Sequence, residues 1–173
     1  MESFKSDIIL KIADCISGNN PDVHNSMIYC LDEQAAYRKQ YKERYGERGI
    51  NSNTCNEDTL CWIGMVDELI ASGDVVGVDS CFEIEDFLWA VSQLNRVKEK
   101  DIDFSKLPFI PDDDVYTWYE ICNEYLKSQG MVLCGIDIDS DDIEMILVTT
   151  AELEKISQLA ESIGHRIAPA ETL

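Results

Sequence analysis

Positive charge is what this sequence has least of. Its 173 residues hold 14 Lys and Arg against 34 Asp and Glu, with two histidines, for a formal net charge of −20. A field of that sign repels nucleic acid and anionic membranes, so neither is expected as a partner. Long apolar runs are also missing, and none approaches the roughly 20 residues needed to cross a bilayer. The N-terminus, MESFKSDIILKIADC, sets acids inside its apolar pattern and has no small-residue cleavage site. It therefore does not read as a secretion signal, and a cytoplasmic setting is expected. The chain has no H-E-x-x-H, no Gly-rich phosphate loop and no nucleophile elbow. Its cysteines (Cys15, Cys30, Cys55, Cys61, Cys81, Cys122 and Cys134) are odd in number and include no C-x-x-C pair. That argues against a disulfide framework or a zinc site and for reduced, mostly buried thiols. No catalytic residue, metal or cofactor is predicted, and the chain is expected not to be an enzyme.

What is present is enough apolar residue, 45% of the chain, for a real core. One domain over 1–173 is expected, with a helical part at 1–50 and an α/β core at 55–168. Its centre is MVLCGIDIDSDDIEMILV (131–148), two apolar runs around an acidic tip. This reads as a β-hairpin, and because both faces of each run are apolar, its strands should be covered by helices on either side. The fold class is α+β or α/β: a small mixed sheet around the 131–149 hairpin, packed by about six helices.

Phe4, Ile8, Ile12 and Ile16 mark a helix over 3–17, with Ser3 as its cap and Gly18 as its stop. Asn20-Pro21 opens a second helix reaching about Tyr45, with a break expected near Leu31-Asp32. On it Tyr37, Tyr41 and Tyr45 form a stripe among Arg38, Lys39, Lys42, Arg44 and Arg48. The stripe is a packed face, a phosphate-binding surface or a dimer surface. Thr54-x-x-Glu57 caps a helix over 57–72 that is apolar nearly all round. Val75, Val76 and Val78 form a short strand, and Ser80-x-x-Glu83 caps a helix over 82–96. Residues 97–112 form a long connection anchored by Phe104, Leu107, Phe109 and Ile110. Asp112, Asp113 and Asp114 sit at the start of a helix that ends at Gly130. Thr149-x-x-Glu152 caps the last helix, and a right-handed crossover leads to a short strand at 165–168.

The acids are unevenly placed. Residues 1–50 carry 7 Lys/Arg against 8 Asp/Glu, and residues 51–173 carry 7 against 26. Asp137, Asp139 and Asp141 mimic the start of an EF-hand loop, but Asp142 stands where that loop needs Gly and Val148 where it needs Glu. The tip is therefore a polar turn or a divalent-ion site of another geometry. The ion-site alternative would make the chain a metal-binding protein or a cryptic enzyme.

The stretches CWIGMVDELIASGDVVGVDSCFEIEDFLWAVSQL (61–94) and GMVLCGIDIDSDDIEMILV (130–148) resemble a bacterial family known only as a domain of unknown function, numbered six-six-three-zero. In that family an apolar, tryptophan-containing helix leads to a strand ending in Asp, and a later strand pair is joined by an Asp-rich turn. The resemblance covers about residues 55–168. The sequence departs from the pattern at Ser80 and at Ile143-Glu144. It implies a bacterial cytoplasmic protein and supplies no catalytic residues. In general profile the chain is similar to immunity proteins of toxin systems. The function expected is neutralisation of a basic toxin, such as a nuclease, through Asp112, Asp113, Asp114, Asp137, Asp139, Asp141 and Asp142. The oligomeric state stays open.

Overall fold

The computed structural model describes residues 2–50, 55–140 and 142–173. The chain divides into two compact units, Met1–Ser72 and Gly73–Leu173. The helix expected in the α/β core, 57–72, thus belongs with the N-terminal helices.

The first unit is helical among its described residues: α1 (Glu2–Ile16), α2 (Pro21–Asp32), α3 (Gln34–Gln40), α4 (Lys42–Glu47) and α5 (Glu57–Ser72). Helix α1 already includes Ser3, which is therefore not an N-cap. Asn20 caps α2 through Asp22 N–H, with Pro21 in the first turn, as the Asn-Pro pair predicts. The helix expected to reach Tyr45 is three helices, broken at Glu33 and again at Tyr41, where the backbone leaves the helical region. Ile8, Ile9, Ile12, Val23, Met27, Met65 and Leu69 are buried in its core. Helix α5 is buried continuously from Leu60 to Leu69, matching its all-round apolar pattern. Gly64 lets α2 approach closely, since a Cβ there would lie 2.7 Å from Cys30 Sγ. The expected Thr54 capping box lies outside the described residues.

The second unit holds β1 (Val76–Asp79), α6 (Ile84–Gln93), α7 (Asn95–Glu99), α8 (Val115–Lys127), β2 (Met131–Ile136), β3 (Asp142–Thr149), α9 (Thr150–Ser162) and β4 (Ile167–Pro169). The sheet order is β1-β3-β2-β4, with the predicted hairpin at its centre. Every adjacent pair is antiparallel. The sheet is therefore antiparallel throughout, not mixed as expected.

One sheet face, with Leu133, Met145 and Leu147, packs on Phe87, Val91, Trp118, Tyr119 and Cys122. On the other, Ile146 and Val148 are also fully buried, so both faces are covered as the sequence implies. Thr149 and Glu152 form a complete capping box at the start of α9. Gly130, at φ +67°, ends the turn after α8 in a conformation that disfavours side chains.

Three local expectations fail. Ser80 does not cap α6: the Asp79 carboxylate takes Cys81 N–H at 2.7 Å, and the helix starts only at Ile84. The long connection contains α7 and a 3-10 turn at Phe104–Lys106. Phe104 is buried there, but Ile110 is 58% exposed and serves instead through its carbonyl, which accepts the Trp118 indole N–H at 3.0 Å.

Candidate functional site

The acidic residues of the second unit are gathered by its topology. Helix α8 turns back through three residues into β2, and the two are stitched midway: Asn123 accepts Leu133 N–H at 2.7 Å and donates to Leu133 O at 3.0 Å. From that point Asp114 lies nine residues back along the helix, about 13 Å at helical rise. Asp137 lies four residues on along the strand, also about 13 Å. Both acidic clusters thus reach the same end of the sheet.

Strand β1 brings more charge there. Its last residue, Asp79, is the direct register partner of Asp142 in β3. Both are exposed. Five residues later α6 begins, with Glu83, Glu85 and Asp86 exposed in and beside its first turn. Like charges directly opposite each other across strands weaken a sheet, so this arrangement costs the fold stability.

Of the predicted site residues, all but Asp141 are described. Asp112 is exposed, and Asp113 is half-buried with its N–H on Ile110 O. Asp114 is the N-cap of α8, accepting Thr117 N–H at 2.8 Å. Those bonds from the Thr117 backbone and hydroxyl hold its carboxyl below the ordinary aspartate range. Asp137 accepts Asp139 N–H at 2.9 Å, and Asp139 adopts φ +57°, the left-handed conformation Asp tolerates in turns. Asp142 N–H bonds Ser140 Oγ. Asp141 lies outside the described residues. Among the described residues no three His, Cys, Asp or Glu side chains are grouped to hold a metal ion. Two exposed apolar groups, Ile110 and Tyr116, flank Asp112–Asp114 in the chain.

The sequence-based reading missed Asp79, Glu83, Glu85 and Asp86. The signal was present in the short strand ending in Asp, but only the β1–β3 register puts Asp79 against the tip.

The basic tyrosine face in the first unit is interior in part, with Tyr41 half-buried and Lys39 and Lys42 exposed. Tyr37 and Tyr45 are buried, and the Tyr37 hydroxyl donates to Glu68 Oε1 at 2.6 Å. Arg44 reaches the same oxygen at 2.7 Å, Arg48 pairs with Asp67 at 2.9 Å, and Arg38 with Glu57 at 3.6 Å. Lys5 pairs with Asp58. Burial raises the Asp67 carboxyl above its usual range despite Arg48 beside it, and burial with the Glu68 bond drives the Tyr37 phenol upward. These cations answer the carboxylates of α5 and are not presented as a phosphate-binding surface.

The family model matches residues 8–170. The chain belongs to DUF6630, a domain of unknown function. The match takes in the N-terminal helices as well as the 55–168 stretch that carried the resemblance. No curated protein and no solved structure matches this DUF6630 chain. No helix among its described residues is long and apolar enough to cross a membrane.

Proposed function

We propose that this DUF6630 protein is a non-enzymatic bacterial binding protein that holds a basic protein partner on the acidic sheet end of its second unit. Its most concrete form is a cytoplasmic immunity protein that occupies the positive cleft of a toxin such as a nuclease. The observation that carries the reading is the cross-strand placement of Asp79 opposite Asp142, within reach of the charged turn and the α8 N-terminus. A fold that needed only solubility could distribute those charges at lower electrostatic cost. The second unit carries 7 Lys/Arg against 22 Asp/Glu, and a one-signed patch of this kind speeds encounter with a positive partner and rejects negative ones. Ile110 and Tyr116 supply apolar contact beside the acids, the combination of anchor and polar rim found in protein interfaces.

The test is titration calorimetry against toxin-like proteins encoded beside the gene. A variant with Asp112, Asp113, Asp137, Asp139, Asp141 and Asp142 changed to Asn is run in parallel. Binding that is lost in the variant and weakens steeply with salt supports the reading. Equal binding by both proteins, or none by the wild type, defeats it.

A further inference from the structure

Strand β2 has an edge that its neighbour only half covers. The peptide groups of Met131, Leu133, Gly135 and Asp137 all point away from β3, because alternate residues of a strand face the same side. β4 takes the far end: Gly135 is paired with Ala168, and Asp137 N–H bonds Arg166 O at 3.0 Å. At Pro169, which has no N–H to offer, the chain leaves the edge and enters a 3-10 turn. Beyond it the Leu133 peptide is met by the Asn123 side-chain amide, which accepts and donates as a neighbouring strand would. Alongside runs a groove of about 720 Å³ between α8 and α9, in the size range of ligand sites. Its half-buried apolar lining is Ile121, Val132, Leu153 and Pro169. Its rim holds Glu120, Glu124 and Glu171 against Lys127, itself drawn to Glu124 at 3.6 Å.

We propose that this groove takes an extended, basic segment of a partner protein, which adds to the β2 edge where β4 stops. The edge supplies main-chain partners, the lining takes an alternate apolar side chain, and the acidic rim selects Lys or Arg beside it. Asn123, whose amide also donates to Glu171 Oε2 at 2.6 Å, keeps Leu133 satisfied until the segment takes its place and can turn to Glu171 then. The groove lies toward the start of β2, away from the charged sheet end, so the proposal goes beyond the reading above and does not depend on it.

The experiment uses the full chain and a fluorescent peptide of alternating Lys and Val, read by anisotropy. Three comparators are used: an alternating Glu–Val peptide, the Lys–Val peptide N-methylated at every second residue, and the protein variant Glu120→Gln/Glu124→Gln, whose changes are at exposed positions. The expected result is binding of the Lys–Val peptide alone, at least about tenfold tighter than either other peptide and about tenfold weaker in the variant. Equal binding of the N-methylated peptide would mean charge attraction without strand addition and would overturn the proposal. So would binding that is unchanged in the groove variant but lost in Asp79→Asn/Asp142→Asn, which would leave the acidic-end reading standing.

Discussion

Replacing Asp142 by Lys should make the fold more stable while weakening its hold on a basic partner. Directly opposed residues in an antiparallel pair have Cβ atoms about 5 Å apart, which puts the Asp79 and Asp142 carboxylates about 6 Å apart. In a solvent-like dielectric two unit charges at that distance repel by about 0.7 kcal/mol, and screening at physiological salt leaves about 0.3 kcal/mol. Lys removes the repulsion and adds an attraction of like size. The gain is therefore about 0.6 kcal/mol at physiological salt and about 1 kcal/mol near 10 mM salt. Urea titration reads this as a higher midpoint, and urea leaves ionic strength free to vary. The same substitution made on an Asp79→Asn background should lose the whole gain, relieved repulsion and new attraction alike, which isolates the pair. A lower midpoint, a gain indifferent to salt, or an equal gain without Asp79 would refute the reasoning from strand register.

Three further outcomes are expected. Tyr119→Phe should raise stability by about 1 kcal/mol in thermal or urea unfolding, because the Tyr119 hydroxyl is buried without a hydrogen-bond partner among the described residues. Glu68→Ala should cost about 3 kcal/mol, since it strands the Tyr37 hydroxyl and the Arg44 guanidinium together; a loss below about 1 kcal/mol would contradict the network. Burial alone would raise the Glu152 carboxyl, but Arg96 and the Thr149 cap hold it below the ordinary value of 4.5. Its contribution is thus fully present above pH 4.5 and is lost as pH falls through the depressed value, so Glu152→Gln should flatten the acid limb of a stability–pH curve.

Local chemistry was the legible part of the sequence. The Thr149–Glu152 box, the Asn20-Pro21 start and the two-faced apolar runs of the hairpin each depend on neighbours within a few residues. Where two local options competed, pattern alone chose wrongly: Asp79 and Ser80 could each organise the turn before α6, and the carboxylate, the stronger acceptor, took the N–H. Asp67 and Glu68 were invisible as buried charges because their arginine partners lie on α4 and at its C-cap, about twenty residues earlier. The hint was a pair of acids inside an otherwise apolar helix, opposite Arg44 and Arg48 spaced one helical turn apart. Within the candidate site, Asp112–Asp114 and the tip could be named from charge alone. Their meeting with Asp79 and the α6 acids needed strand order, which no single-residue signal carries.

Thr149 closes β3 and caps α9 with no linker between them. A slip of β3 by a single position would therefore swing the helix about its axis by about 100° and turn Lys155 inward where Ile156 now sits. Sheet alignment and helix orientation are geared together at this joint. One residue inserted between Thr149 and Thr150 should disturb both at once, whereas the same insertion in the loop before α8 would be absorbed.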